Sequence, residues 1–127
     1  MKVLQISTVC GSGSVGRITV DIYHTLKSCG DEGLIAYGRR QAPEGVEAFR
    51  FGSDLDMGFH VLSTFFRGEH GFASTGQTRK LIEKIREWDP DVIHLHNIHG
   101  FILQVEELFF YLKQAGKPVV WTLHDCW

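Results

Sequence analysis

Residues 10–17 read Cys10-Gly11-Ser12-Gly13-Ser14-Val15-Gly16-Arg17. They follow an apolar run, Val3-Leu4-Gln5-Ile6-Ser7-Thr8-Val9, and precede a segment with helical periodicity. Strand, glycine turn and helix in that order predict the opening of a nucleotide-type α/β fold. Gly11, Gly13 and Gly16 fit G-x-G-x-x-G. Without a Cβ, backbone N–H groups can come close to an anion, and the helix N-terminus behind them adds partial positive charge.

The 127 residues suit one domain, large enough for a hydrophobic core. Hydrophobic residues make up 43% and charged residues 22%, as in an ordinary globular protein. A formal net charge of −2 argues against bulk binding of nucleic acid or an anionic membrane. Cys10, Cys29 and Cys126 lack metal-type spacing, so a reduced, cytoplasmic chain is expected. The N-terminus enters a strand with no signal peptide, and no apolar run approaches the ~20 residues that span a bilayer. Seven histidines are many for this length, and His94, His96, His99 and His124 all lie beyond position 90.

Taken in order, the first strand is predicted over residues 2–8 and the first helix over 16–29, with Ile18, Ile22, Leu26 and Cys29 inward. A second strand follows at 33–38 and a short edge strand at 47–51. Residues 54–66 read as a helix that is apolar over much of its surface. Core burial is the plain reading; docking on lipid is disfavoured by its low basic content. A glycine-containing loop at 67–76 leads to a helix at 75–88, which Asp89-Pro90 stops. The fourth strand is 91–96. A helix at 101–115 turns Ile102, Val105, Leu108, Phe109 and Leu112 inward and stops at Gly116. The fifth strand is 119–123. Strands alternating with helices predict a Rossmann-like, doubly wound, mainly parallel sheet in three α/β/α layers, as one domain over residues 1–127. The stop at Trp127 after an interior-looking strand suggests a piece of a longer chain and an uncovered sheet side through which a homodimer could form.

In such sheets ligands bind at the carboxyl ends of the strands. In the usual 3-2-1-4-5 order, strands one, four and five are neighbours. The glycine turn, residues 94–100 and residues 124–126 should then face one crevice. The turn has a ligand-free reading, as a tight strand-to-helix connection. A dinucleotide site would want an acid at the end of strand two, where Gly38 and Arg39 stand instead. Arg39 and Arg40 leave an NADP-dependent oxidoreductase as an alternative. The turn lacks the Lys-Ser/Thr ending of a P-loop. His94, His96, His99 and His124 could ligate a metal, but only Asp125 is well placed among the carboxylates, and no metal site is expected. His96, Asn97 and His99 are better placed than His94 to contact a ligand. His124 could donate to a sugar hydroxyl or stabilise developing charge. Asp125 could act as a base or cap the next element. A nucleophilic role for Cys126 is not expected.

Three segments carry a family likeness: residues 3–17, Asp89-Pro90-Asp91-Val92-Ile93-His94-Leu95-His96-Asn97, and Pro118-Val119-Val120-Trp121-Thr122-Leu123-His124-Asp125-Cys126-Trp127. The chain resembles the N-terminal domain of glycosyltransferase family 4, of GT-B architecture, and its ending is similar to a subgroup acting in polysaccharide or capsule biosynthesis. The resemblance implies half of a retaining, metal-independent and cofactor-independent enzyme that moves a sugar from a nucleotide-sugar to a glycan or lipid-linked acceptor. The other half, a C-terminal domain with paired glutamates, would hold the donor. Gly11, Ser12, Gly13, Ser14, Gly16 and Arg17 would lie beside the donor phosphates or the transferred sugar. His124 matches the family histidine that contacts the donor sugar. His96, Asn97, His99 and Asp125 would form the acceptor side. A cytoplasmic location at the inner face of the membrane, with peripheral contact, would follow for a lipid-linked acceptor. A stand-alone sugar- or nucleotide-binding module is the remaining alternative.

Overall fold

The structure, a computed structural model, describes residues 1–52, 72–99 and 103–125. Its elements run β1 (Lys2–Val9), α1 (Gly13–Ser28), β2 (Glu32–Arg39), β3 (Ala48–Arg50), α2 (Phe72–Trp88), β4 (Val92–Leu95), α3 (Val105–Ala115) and β5 (Val119–Trp121). The strands form one sheet in the order β3-β2-β1-β4-β5. Every adjacent pair is parallel, with Leu4 opposite Leu34 and Ile93, and Ile93 opposite Val119. This is the Rossmann-like α/β arrangement the sequence predicts. The helix expected at 54–66 lies outside the described residues.

Alternation along the strands divides the core in two. Leu4, Ile6, Leu34, Ala36, Ile93 and Leu95 pack with Leu81, Ile82 and Ile85 of α2 and Leu108 and Leu112 of α3. Ile35 and Tyr37 face the other way and pack with Tyr23 of α1 and with Cys10. β1 is buried from Val3 through Ser7, including the polar Gln5 and Ser7, as a central strand covered on both faces must be. β5 differs from its interior-looking composition. It is an edge strand, and Val119, Val120 and Trp121 are all exposed.

The face of α1 departs from expectation. Gly16, Thr19 and Tyr23 are its buried residues, whereas Ile18 and Cys29 are exposed. The reason is the turn. Gly11 N–H donates to the Gly16 carbonyl at 2.8 Å, and a Cβ on Gly16 would stand 3.0 Å from Gly11 N. That approach turns residue 16 inward, and the residues one and two turns on follow it. Thr19 is accommodated by donating its hydroxyl to the Gly16 carbonyl at 2.8 Å. α2 starts at Phe72, so part of the expected loop is helical. Gly76 costs about 1 kcal/mol in a helix interior, and the packing of Leu81, Ile82 and Ile85 carries the element. α3 starts at Val105 rather than near residue 101, with the Gln104 side chain accepting from Glu106 N–H. Leu108 and Leu112 are buried and Phe109 half-buried, while Val105 is exposed and Ile102 lies outside the described residues. Gly116, at φ 62°, closes α3 as expected.

The three turn glycines should not respond alike to alanine. At Gly11, φ is +72° and an added Cβ would sit 2.6 Å from Pro43 Cγ. Gly11→Ala is expected to lower unfolding free energy by about 2–4 kcal/mol, combining left-handed strain with overlap. Gly13, at φ +68°, has open space around it. Gly13→Ala should cost only the strain, about 1–2 kcal/mol. Urea melts of the two variants check the order; equal losses would contradict it.

Candidate active site

The ends of β1, β4 and β5 meet as the strand order requires. Thr8, next to last in β1, donates its backbone N–H to the Asn97 carbonyl at 2.9 Å and its hydroxyl to the same oxygen at 2.7 Å. The loop after β4 is thereby held against the start of the glycine turn. Between them lies a cleft of about 280 Å³, lined by Ser12, Gly13 and Ser14 on one side and Asn97 and His99 on the other, with Arg39 at the end of β2.

The glycine turn divides its labour. Gly11 and Gly16 close on each other, and the Gly11 N–H is spent on that contact. Ser12, Gly13 and Ser14 reach the cleft. Ser12 is the N-cap residue of α1, yet its side chain makes no capping bond. Its hydroxyl oxygen instead accepts from Arg40 Nη1 at 2.7 Å. Arg40 holds a left-handed φ of 65°, uncommon for a residue with a Cβ. The first turn of α1 contains no acidic residue. An uncapped helix start beside Arg39 and Arg40 favours a negatively charged group in the cleft. Arg17 is exposed on α1, beyond the residues that line the cleft.

Across the cleft, Asp125 holds the loop after β4. Its Oδ2 accepts from Asn97 Nδ2 at 2.9 Å and pairs with His99 Nε2 at 3.2 Å. Three of the four residues expected on the acceptor side thus form one hydrogen-bonded group, and Asp125 serves as its clamp. His99 and Asp125 are exposed.

His96 is different. It is fully buried, and its ring meets protein on both sides. Its Nδ1 lies 3.0 Å from His124 Nε2, and its Nε2 lies 3.0 Å from Gln5 Oε1. The structure therefore gives His96 a supporting place behind His124, whose own ring is half-buried. The His94 ring lies against His96 with centroids 4.1 Å apart and planes tilted by 34°, and bonds Thr122 Oγ1 through Nε2 at 2.8 Å. A metal on these histidines would have to displace bonds already made. Trp121 Nε1–H donates to the His96 carbonyl at 3.1 Å, fixing β5 to the loop. Gln5 escaped the sequence reading. Its signal was a long polar residue within an apolar strand covered on both faces. Cys10 is buried, and burial pushes its thiol up to about 11, so it stays protonated and unreactive. Cys126 lies outside the described residues.

Burial, then the neighbouring His94 and His124, push His96 down to about 3 from an ordinary 6.5. His94 is lowered for the same first reason and then by His124. A histidine kept neutral in the fold stabilises fully above its unfolded value, and that stability is lost as pH falls. We expect unfolding free energy to be level between pH ~7 and ~8 and to fall by about 2 kcal/mol by pH ~5, a window in which carboxylates titrate little. His96→Asn should remove most of that slope in urea melts. An unchanged slope would place its origin elsewhere.

No curated protein matches the sequence. A family model, Glycosyltransferase Family 4, matches residues 15–127. The match takes in β4, β5 and the loops that carry Asn97, His99, His124 and Asp125. It begins just inside α1, so Gly11 to Ser14 precede it. With nearly the whole chain matched and a parallel sheet that brings those loops to one cleft, the chain belongs to glycosyltransferase family 4.

Proposed function

We propose that this domain takes part in retaining, metal- and cofactor-independent transfer of a sugar from a nucleotide-sugar to a glycan or lipid-linked acceptor. The observation that carries the reading is the two-sided cleft. One wall is an uncapped helix start flanked by Arg39 and Arg40, suited to a phosphate. The other wall is the Asn97–Asp125–His99 group, whose carboxylate, amide and imidazole suit a polyhydroxylated acceptor.

Ser12, Gly13 and Ser14 would meet the donor phosphates or the transferred sugar through backbone N–H groups. His124 would contact the donor sugar, where an oriented imidazole stabilises charge that develops as the glycosidic bond loosens. A partner domain of GT-B type would hold the nucleotide and supply the paired glutamates. Polysaccharide biosynthesis on the cytoplasmic side of a membrane suits the acceptor class. Among the described residues no helix is long and apolar enough to cross a membrane.

Two measurements test this reading. Adding a UDP- or GDP-sugar to the labelled chain should shift the amide resonances of Ser12, Gly13 and Ser14, and adding an acceptor glycan should shift those of Asn97 and His99. Shifts confined to α2 and α3 would contradict it. In an assembled two-domain enzyme, His124→Ala should lower kcat by about 10²-fold while the circular dichroism spectrum is retained. Near-normal turnover would reduce His124 to a structural residue.

A further inference from the structure

The buried histidine sits in a chain of hydrogen bonds whose direction can be fixed from one end. Gln5 Nε2 lies 3.0 Å from the Thr19 carbonyl oxygen. A carbonyl oxygen only accepts, so the amide nitrogen of Gln5 must face Thr19, and its Oε1 must face His96. The Gln5 oxygen also only accepts. His96 Nε2, 3.0 Å away, must therefore carry the proton. A neutral imidazole has one N–H, so His96 Nδ1 is a bare acceptor. Burial, which disfavours the imidazolium, keeps His96 neutral. Across the next 3.0 Å, His124 Nε2 must then donate.

We propose that Gln5 and His96 are positioning residues that fix the tautomer of His124, with Nε2–H turned inward to His96 and Nδ1 left as the lone pair available to a ligand. The consequence for recognition rests on the glycosyltransferase reading above. A neutral His124 accepts from a ligand hydroxyl; it does not donate to one, and it offers nothing to an anionic phosphate. It becomes a donor at Nδ1 only as the cation. The chemical class it selects is thus a hydroxyl that can give its proton, as on a sugar ring. Among the described residues His94, whose ring lies tilted against His96 and bonds Thr122, is the other titratable side chain beside this relay, and the Asp125 carboxylate on the same loop faces Asn97 and His99 instead.

The test is read on the full 127-residue chain without any sugar. Long-range proton–nitrogen correlation spectra of the labelled protein at neutral pH should show both His96 and His124 in the Nε2–H form. Gln5→Met removes the acceptor and would strand the His96 Nε2–H. Both rings should then move to the Nδ1–H form, with loss of the Nε2–H signals. Gln5→Glu, read at a pH where its buried carboxyl is protonated and donates to the Thr19 carbonyl, can still accept from His96 and should keep the original forms. An Nδ1–H signal from His124 in the unaltered chain overturns the proposal. So does an unchanged His124 in a folded Gln5→Met variant. If Gln5→Met fails to fold, the first measurement and the Gln5→Glu variant still decide. The tautomer does not depend on a substrate. A correct tautomer with no effect of His124→Ala on turnover would leave this assignment standing and remove the sugar-contact reading instead.

Discussion

The approach of Gly16 to Gly11 is the constraint from which the site is built. A backbone N–H to carbonyl bond of 2.8 Å pins the start of α1 to the turn after β1, and no side chain fits between. Once residue 16 faces the sheet, Thr19 and Tyr23 must follow, because a helix repeats its face every three to four residues. Thr19 brings its carbonyl over Gln5. Gln5 in turn meets His96, and His96 meets His124. The orientation of a side chain at the far end of β5 is thus tied to how closely two glycines pack at the end of β1.

The two faces of the sheet do different work. Leu4, Ile6, Ile93 and Leu95 make one side of β1 and β4 apolar and bury it under α2 and α3. On the other side the same two strands carry Gln5, Ser7 and His94, with His96 directly after β4. Burying such groups unpaired would cost a few kcal/mol each. Gln5 and His96 avoid that cost by meeting one another and by reaching Thr19 and His124, so these side chains hold their places as a connected set. This favours a single arrangement of the rings over several loosely packed ones.

Much of the fold was legible because its signals are periodic or categorical. Glycine spacing marked the first turn, Asp89-Pro90 and Gly116 marked helix ends, and apolar strands separated by helices predicted the parallel sheet and its order. The meeting of three strand ends followed from that order alone. The face of α1 was not legible. Ile18 and Ile22 outweigh Thr19 on any count of apolar residues, yet a glycine contact decides the rotation, and a threonine can be buried by donating to its own helix. The start of α3 was misplaced because its cap is the side chain of Gln104, an uncommon residue in that role. At the site, residue types were visible but roles were not. His96 and His99 look alike in a sequence; one is sealed beneath the sheet end and the other stands at the cleft.

His124 and Asp125 are neighbours in the chain, yet they serve opposite directions. His124 reaches back to His96 in the interior, while Asp125 reaches across to Asn97 and His99 at the cleft. One short loop after β5 therefore joins the buried relay to the surface that would meet a sugar. It is steadied from a third side by Thr122 N–H, which donates to the Leu95 carbonyl at 2.9 Å. Catalytic geometry needs side chains whose own positions are fixed by further contacts. Here those contacts come from the strand register, which sets β5 against β4, so the loop needs no rigid sequence of its own. The exposure of β5 leaves that register as the chief support of the loop from the sheet side. A substitution that slips β5 by one residue would exchange the faces of its side chains and uncouple His124 from His96 and Asp125 from Asn97 together.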